Sequence, residues 1–422
     1  MKSLFKYVIV FFGICFLDAC KENSPEGDKP APIVEYTVTP IHGGATISYT
    51  IPRDPNILYV MAEYTRNGEP FTERSSKYTN SLTIEGFNTT NPVNATLYTV
   101  SRDHEIKSDP VTIQFTPLES PLVVTVNSIE IVPGFGGIVA TWENVTQTEL
   151  GVRLMVDSMG TMIEKELYFT SLASEKHSFR GFENVETSFV LSFEDKWGNI
   201  SEPVRFKGTP LFETEVDKPW VDLRRMIPYD NITEEGAAYA FSKVWDKALT
   251  NSNSYLNVSG SSGNSMTFDL GVKTKLSRMI FWMTQYNGYT ADVVWGTCNI
   301  TEFEMWGTTE LDYDKLSDLP YWLHPFSAAE TSQPLPDHTF MDDWVYLGRY
   351  SIPRLDFLGV SIADQQQAVS AGFEFEIPLE CAPVRIIRFY PLTTANGGSP
   401  PARNNWWIAE MSFFGDTTIP QD

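Results

Sequence analysis

Gly43-Gly44-Ala45-Thr46-Ile47-Ser48-Tyr49 and Gly136-Gly137-Ile138-Val139-Ala140-Thr141-Trp142 decide how this chain is read. Each is a glycine pair, a turn signal, running into alternating apolar and polar residues, a half-buried strand signal. The likeness continues at the same offset. Ser108-Asp109-Pro110 returns as Ser201-Glu202-Pro203, and Thr116-Pro117 as Thr209-Pro210. Leu82-Thr83-Ile84-Glu85-Gly86-Phe87 returns, with a small slip, as Ser178-Phe179-Arg180-Gly181-Phe182. A repeated unit of roughly 90 residues, built of short strands with turns between them, predicts two β-sandwiches in tandem. They are placed at 32–118 and 119–211. Neither carries a cluster of reactive side chains, so both are read as structural.

Upstream, Lys2 and Lys6 precede an apolar stretch from Tyr7 to Leu17, and small Ala19 stands before Cys20. A positive head, a short apolar core and a small residue at the cut make a secretory signal over 1–19, too short to span a bilayer. With cysteine at the first mature position, this leader resembles a bacterial lipoprotein signal. That resemblance implies a lipidated Cys20 and a membrane-tethered chain. Residues 20–31 form a polar tether. Its early acidic residues resemble the surface-export signals of Bacteroidota lipoproteins, which implies the outer membrane, with periplasmic and extracellular faces both still open.

The bulk composition bounds the rest. A chain of 422 residues is too long for one ordinary core, and 42% hydrophobic with 13% aromatic residues indicates packed globular modules. A net charge of -23 without a basic run excludes nucleic acid and anionic headgroups as partners and suits a neutral glycan. Apart from Cys15 and Cys20, only Cys298 and Cys381 remain. In an oxidising compartment one disulfide between them is the economical expectation, two separate thiols the alternative.

Pro219 and Pro228 punctuate 212–230, read as a linker into a last domain over 231–418. That domain shows strand patterns from Met266 to Gly271, Leu276 to Trp282, Thr301 to Trp306, Trp344 to Tyr350, Phe373 to Ile377, Val384 to Tyr390 and Ile408 to Phe414. One short helix is expected around Glu235 to Lys247. The chain is therefore expected to be all-β.

The two sandwiches resemble fibronectin type III (immunoglobulin-like) modules. In the last domain Lys243-Val244-Trp245-Asp246, Phe268-Asp269-Leu270-Gly271, Leu276-Ser277-Arg278-Met279-Ile280, Phe303-Glu304-Met305-Trp306-Gly307, Trp344-Val345-Tyr346-Leu347-Gly348, Val384 to Phe389 and Ile408 to Gly415 follow one another in order. In this order they resemble a discoidin domain, the galactose-binding-like jelly-roll sandwich of coagulation-factor type C. The whole arrangement resembles Bacteroidota surface lipoproteins associated with polysaccharide utilisation. What it implies is carbohydrate capture by the last domain, with an outer-membrane transporter or other surface lipoproteins as partners.

Sugar sites need flat aromatic faces and a few fixed polar groups. By resemblance to discoidin-like carbohydrate-binding modules, whose ligands contact loops at one end, the site is expected among Tyr286, Tyr289, Trp322, Arg403 and Trp406. The alternative is that these rings plug the ends of the sandwich. The resemblance also implies a structural Ca²⁺ on Asp246 and Glu410, with a hydroxyl from Thr250 or Ser252. Lys247 breaks the family's Asp-Gly step there, and the alternative for Glu410 is a salt bridge to a residue such as Arg385. Enzymatic readings find no support. The five histidines are scattered, no Gly-x-Ser-x-Gly elbow stands out, and three β-modules leave no room for a catalytic domain. The rival to glycan capture is a scaffold or adhesion lipoprotein that docks a protein through its sandwiches.

Overall fold

The computed structural model describes residues 29–102, 105–158, 160–234, 236–248, 254–256, 265–285, 289–325, 328, 332–397 and 405–421. The first sandwich comprises β1 (Tyr36–Ile41), β2 (Gly44–Tyr49), β3 (Ile57–Arg66), β4 (Glu69–Ser76), β5 (Ser81–Ile84), β6 (Val93–Ser101) and β7 (Val111–Phe115). The second comprises β8 (Glu130–Gly134), β9 (Gly137–Glu143), β10 (Leu150–Ser158), β11 (Thr161–Thr170), β12 (Ser174–Phe179), β13 (Thr187–Asp195) and β14 (Val204–Gly208). Sheets ordered β1-β2-β5 and β4-β3-β6-β7 recur as β8-β9-β12 and β11-β10-β13-β14, so the duplication is complete to the strand order.

The glycine pairs explain themselves. Gly43 and Gly136 turn at φ +65 and +60, where other residues are strained. A Cβ on Gly44 would lie 2.0 Å from the Ile84 carbonyl oxygen, and one on Gly137 1.8 Å from that of Phe179. Each core is filled by alternate residues of the facing strands, Ile47, Val60, Ala62 and Leu97 in the first and Trp142, Val152, Leu154 and Phe193 in the second.

The third module is a sandwich whose two sheets share one long strand. It contains β15 (Thr214–Glu215), β16 (Val221–Asp222), β17 (Tyr255–Leu256), β18 (Met266–Trp282), β19 (Ile300–Thr308), β20 (Val345–Ser351), β21 (Phe373–Glu376), β22 (Val384–Thr394), β23 (Trp407–Ile408) and β24 (Glu410–Asp416). The first part of β18 pairs with β22, and the second with β24 and β21. The register breaks between Asp269 and Thr274, where Gly271 adopts φ +82. Two strands expected separately are thus one strand bent across both sheets. The expected helix resolves into 3₁₀ turns at Ala237–Tyr239 and Phe241–Trp245.

Residues 212–230 do not form a free linker. β15 pairs with β24, β16 pairs with β18, and Val216 and Trp220 are buried in the third core. Prolines are tolerated here because such two-residue pairings lie at sheet margins.

The modules are joined by polar contacts. Asn199 Nδ2 donates to the Gly86 carbonyl at 3.0 Å across the first junction. Across the second, Arg180 bonds Glu213 and Glu376, each at 2.9 Å, and Arg278 bonds Glu213 at 3.2 Å and Glu374 at 2.9 Å.

The expected disulfide between Cys298 and Cys381 does not form. Cys298 precedes the start of β19, while Cys381 Sγ lies 3.5 Å from the carbonyl of Tyr346, the partner of Trp306 near the other end of that strand. About eight residues of extended chain separate the two ends, roughly 25 Å, against the roughly 7 Å between Cα atoms that a disulfide permits. Among the described residues no helix is long and apolar enough to cross a membrane.

Candidate functional site

At one end of the third sandwich the loops are stitched to a single asparagine. Asn299 is fully buried; its side chain accepts from the Thr284 amide at 2.8 Å and donates to the carbonyls of Thr284 and Val294. The amides of Ala395, Asn396 and Trp407 donate to the carbonyls of Asn299, Thr297 and Cys298. The satisfied Asn299 side chain and these amides fix the loop bases.

Upon this base stands a second network. Gln365, on the helix Ile362–Ala371, accepts from the Tyr289 hydroxyl at 2.5 Å and from Trp295 Nε1 at 2.9 Å. Arg354 grips Asp356 through two bonds of 2.9 and 2.7 Å and donates to the Ala395 carbonyl at 2.6 Å. The bonded guanidinium holds the Asp356 carboxyl below its usual range. The same guanidinium lies 4.2 Å from the ring centre of Phe357, which is 76% exposed. Leu358 and Ile362 are exposed beside it, and Gly359 turns the chain at φ +72. The result is an open ring backed by a fixed cation, at the end where Tyr289 is anchored.

Of the five residues expected to bind sugar, the three that are described, Tyr289, Trp322 and Trp406, are not brought together. Tyr289 is half-buried at this end. Tyr286 and Arg403 lie outside the described residues. Trp406 is completely buried, edge-on to Tyr255 at 5.2 Å within the core. Trp322 is buried elsewhere, with Phe340 and Trp344. Along β22, Ile387 and Phe389 enter the main core, whereas Ile386 belongs to the Trp322 cluster on the other face. The Arg388 guanidinium, fully buried, sits 5.2 Å from the Trp322 ring and pairs with Asp230 at 3.6 Å. His324 stacks on Tyr390 at 3.9 Å and bonds Glu304 at 3.0 Å. The insertion between β19 and β20 therefore covers a sheet face, and Trp322 is its core rather than a sugar platform. Trp406 likewise plugs the sandwich.

The residues offered for calcium do not fit that ion as they stand. Glu410 is buried and ion-paired with Lys218, and it accepts from the Lys247 amide at 2.8 Å. Lys218 also donates to Ser412 Oγ at 2.9 Å and faces Glu215 at 3.5 Å. An ammonium thus neutralises Glu410 from within the chain. Asp246 pairs with Lys243 at 3.0 Å and accepts from the Ala248 amide. Arg385 bonds Asp269 rather than Glu410. No group of three metal-binding side chains occurs among the described residues, while Thr250 and Ser252 lie outside them, as does Cys20.

Phe357 and Arg354 were missed because the segment has no strand or helix periodicity. The signal present was two large apolar residues, Phe357 and Leu358, directly before a turn glycine and outside any periodic segment.

Three family models match in succession: DUF4959, a domain of unknown function, over 30–117; DUF5126, likewise, over 118–219; and DUF5000, likewise, over 244–415. No curated protein matches the chain. Among solved structures, the SusE-like protein BT2857 is 22% identical, with 69% of this chain and 97% of that one covered and a TM-score of 0.37. A segment of two fibronectin type III domains from chicken tenascin is 14% identical, covering 42% and 99%, with a TM-score of 0.21. CpGH89 from Clostridium perfringens, in complex with GlcNAc-alpha-1,4-galactose, is 10% identical; the match covers 49% of this chain but 15% of that one, with a TM-score of 0.26.

Proposed function

We propose that this chain is a lipid-anchored cell-surface protein that captures a glycan at the loop end of its C-terminal module, as a non-catalytic accessory to polysaccharide utilisation. The observation that carries this reading is Phe357: a ring open to solvent on a base fixed by Arg354, Asp356 and Asn299. The C–H face of a pyranose can lie on that ring, while the surrounding loops offer hydrogen-bond groups. The acidic chain favours a neutral glycan. The lipoprotein-like leader supplies the address, and the two sandwiches serve as spacers. An open platform of this kind gives modest affinity per site. A docking reading is favoured by Leu358 and Ile362, which extend the ring into an apolar knob suited to a transporter or another surface lipoprotein.

Affinity electrophoresis of the chain from Lys21 onward through neutral polysaccharide gels tests the proposal. Phe357→Ala should weaken retention by the worth of one stacked ring, about 0.5–1.5 kcal/mol or roughly 2- to 13-fold. Unchanged retention of that variant would remove the site.

A further inference from the structure

The duplication supplies its own control, because equivalent positions of the two sandwiches can be compared. On β10, Val152 and Leu154 face the core, so Gly151 and Arg153 face outward. Strand pairing puts Phe169, Gly151 and Glu194 in one row across β11, β10 and β13, and Leu167, Arg153 and Ser192 in the next. In the first sandwich Val60 and Ala62 take the core positions, and Tyr59 stands where Gly151 does, between Ser76 and Val100. One copy thus carries a ring on the central strand of this face, and the other a glycine. A glycine inside a central strand weakens it, and marks a place where something approaches the backbone closely.

The Phe169 ring leans over that gap, within 3.2 Å of where a Gly151 Cβ would stand, yet remains 71% exposed. Around it lies a groove of about 800 Å³, lined by Glu149, Arg153, Leu167, Leu172, Glu194 and Lys196 among others. That volume is of the size that holds small ligands. The Arg153 guanidinium is held between Glu164 and Glu194, so donors and acceptors stand in fixed positions beside the ring.

We propose that this groove is a second carbohydrate contact, in which a pyranose of a neutral glycan lies on Phe169 and its hydroxyls meet Arg153 and Glu194. A polyol satisfies donors and acceptors together. The core of a protein interface is instead depleted of Glu and Lys, and Glu149, Glu194 and Lys196 all stand in this lining. An anionic chain would meet both the lining carboxylates and the net charge of -23.

The site is independent of the loop-end reading, and one experiment separates them. The chain from Lys21 onward is run through gels of starch, xylan, galactomannan and laminarin as Phe169→Ala, Gly151→Tyr, Phe357→Ala and the double variant Phe169→Ala/Phe357→Ala. Gly151→Tyr copies the first sandwich and fills the groove. The expected result is that Phe169→Ala and Gly151→Tyr each weaken retention about two- to tenfold, with unchanged melting of the Gly151→Tyr protein, and the double variant migrates freely. Retention equal to the parent's for Gly151→Tyr overturns the groove, leaving Phe169 as a cover for the glycine, whatever Phe357→Ala does. Loss for the groove variants with none for Phe357→Ala upholds the groove and overturns the loop end. No retention of the parent on any gel overturns both, and capture of a protein lost with Gly151→Tyr would then assign the groove to that partner.

Discussion

Trp406→Ala separates packing from recognition most sharply. In the structure Trp406 has no exposed surface and meets Tyr255, itself buried and accepting from Arg224 Nη1 at 3.1 Å. Truncating a buried aromatic removes its transfer free energy and leaves a cavity, about 3–5 kcal/mol. For a module of 150–250 residues each kcal/mol lowers the melting temperature by about 2–4 °C, so the shift should be about 6–20 °C. Calorimetry of the chain from Lys21 onward reads it, because modules of a multidomain protein give separable transitions. Only the transition of the C-terminal module should move. Phe357→Ala, at an exposed position, should leave that transition within about 0.5 kcal/mol of the parent. Below its own transition, Trp406→Ala should keep gel retention within about twofold of the parent, less than one stacked ring is worth. If it melted with the parent and lost retention, Trp406 would be a ligand platform and the described core would be wrong.

Three further outcomes test the buried charges. Burial lowers the pKa of His324, against the raising influence of Glu304, with Arg388 and Arg349 adding to the lowering. The unfolded chain therefore binds a proton that the folded one resists, and stability should fall as pH drops below about 6.5. His324→Gln should flatten that part of the curve, and an identical slope would refute the assignment. Burial likewise raises the Glu410 carboxyl, and Lys218 is the largest influence opposing it. Lys218→Met leaves that carboxylate unpaired and should cost about 3–5 kcal/mol at pH 7, less at lower pH, where Glu410 takes a proton. With Lys218 in place, EDTA and millimolar Ca²⁺ should give melting temperatures within about 1 °C of each other; a calcium-dependent rise of several degrees would show that the ammonium does not stand in for the ion.

What the sequence revealed and hid follows from the range of the forces involved. The glycine pairs were legible because their constraint is local: a left-handed turn at Gly43 or Gly136, then a carbonyl too near for a side chain at Gly44 or Gly137. Alternation along the strands showed the cores for the same reason. The fate of Trp322 and Trp406 was not local. Both stand in loops with turn residues nearby, and only the tertiary fold shows that one covers β22 and the other plugs the sandwich. Lys218 lies almost two hundred positions from Glu410, and nothing between them in sequence announces the pair. The segment around Val216 and Trp220 read as linker because two-residue strands carry no period. Phe357 escaped because an exposed ring in a turn looks like composition until the guanidinium beneath it is seen.

The junctions matter to binding as much as the sites do. Arg180 and Arg278 share Glu213 and reach Glu374 and Glu376, so the second and third modules are held by an ion-pair network rather than by a bare peptide. Asn199, itself buried, ties the first module to the second. Contacts of this kind restrict how far two sites on neighbouring modules can move apart. If both proposed contacts bind, a glycan held at the loop end would meet the Phe169 groove at an effective concentration set by polymer length, a gain of about 10²–10⁴ over either contact alone where the chain spans both. Short oligosaccharides reach only one contact and should show none of that gain. Two such weak open platforms would then hold a polymer firmly while releasing its fragments, which is what the proposed role asks of them.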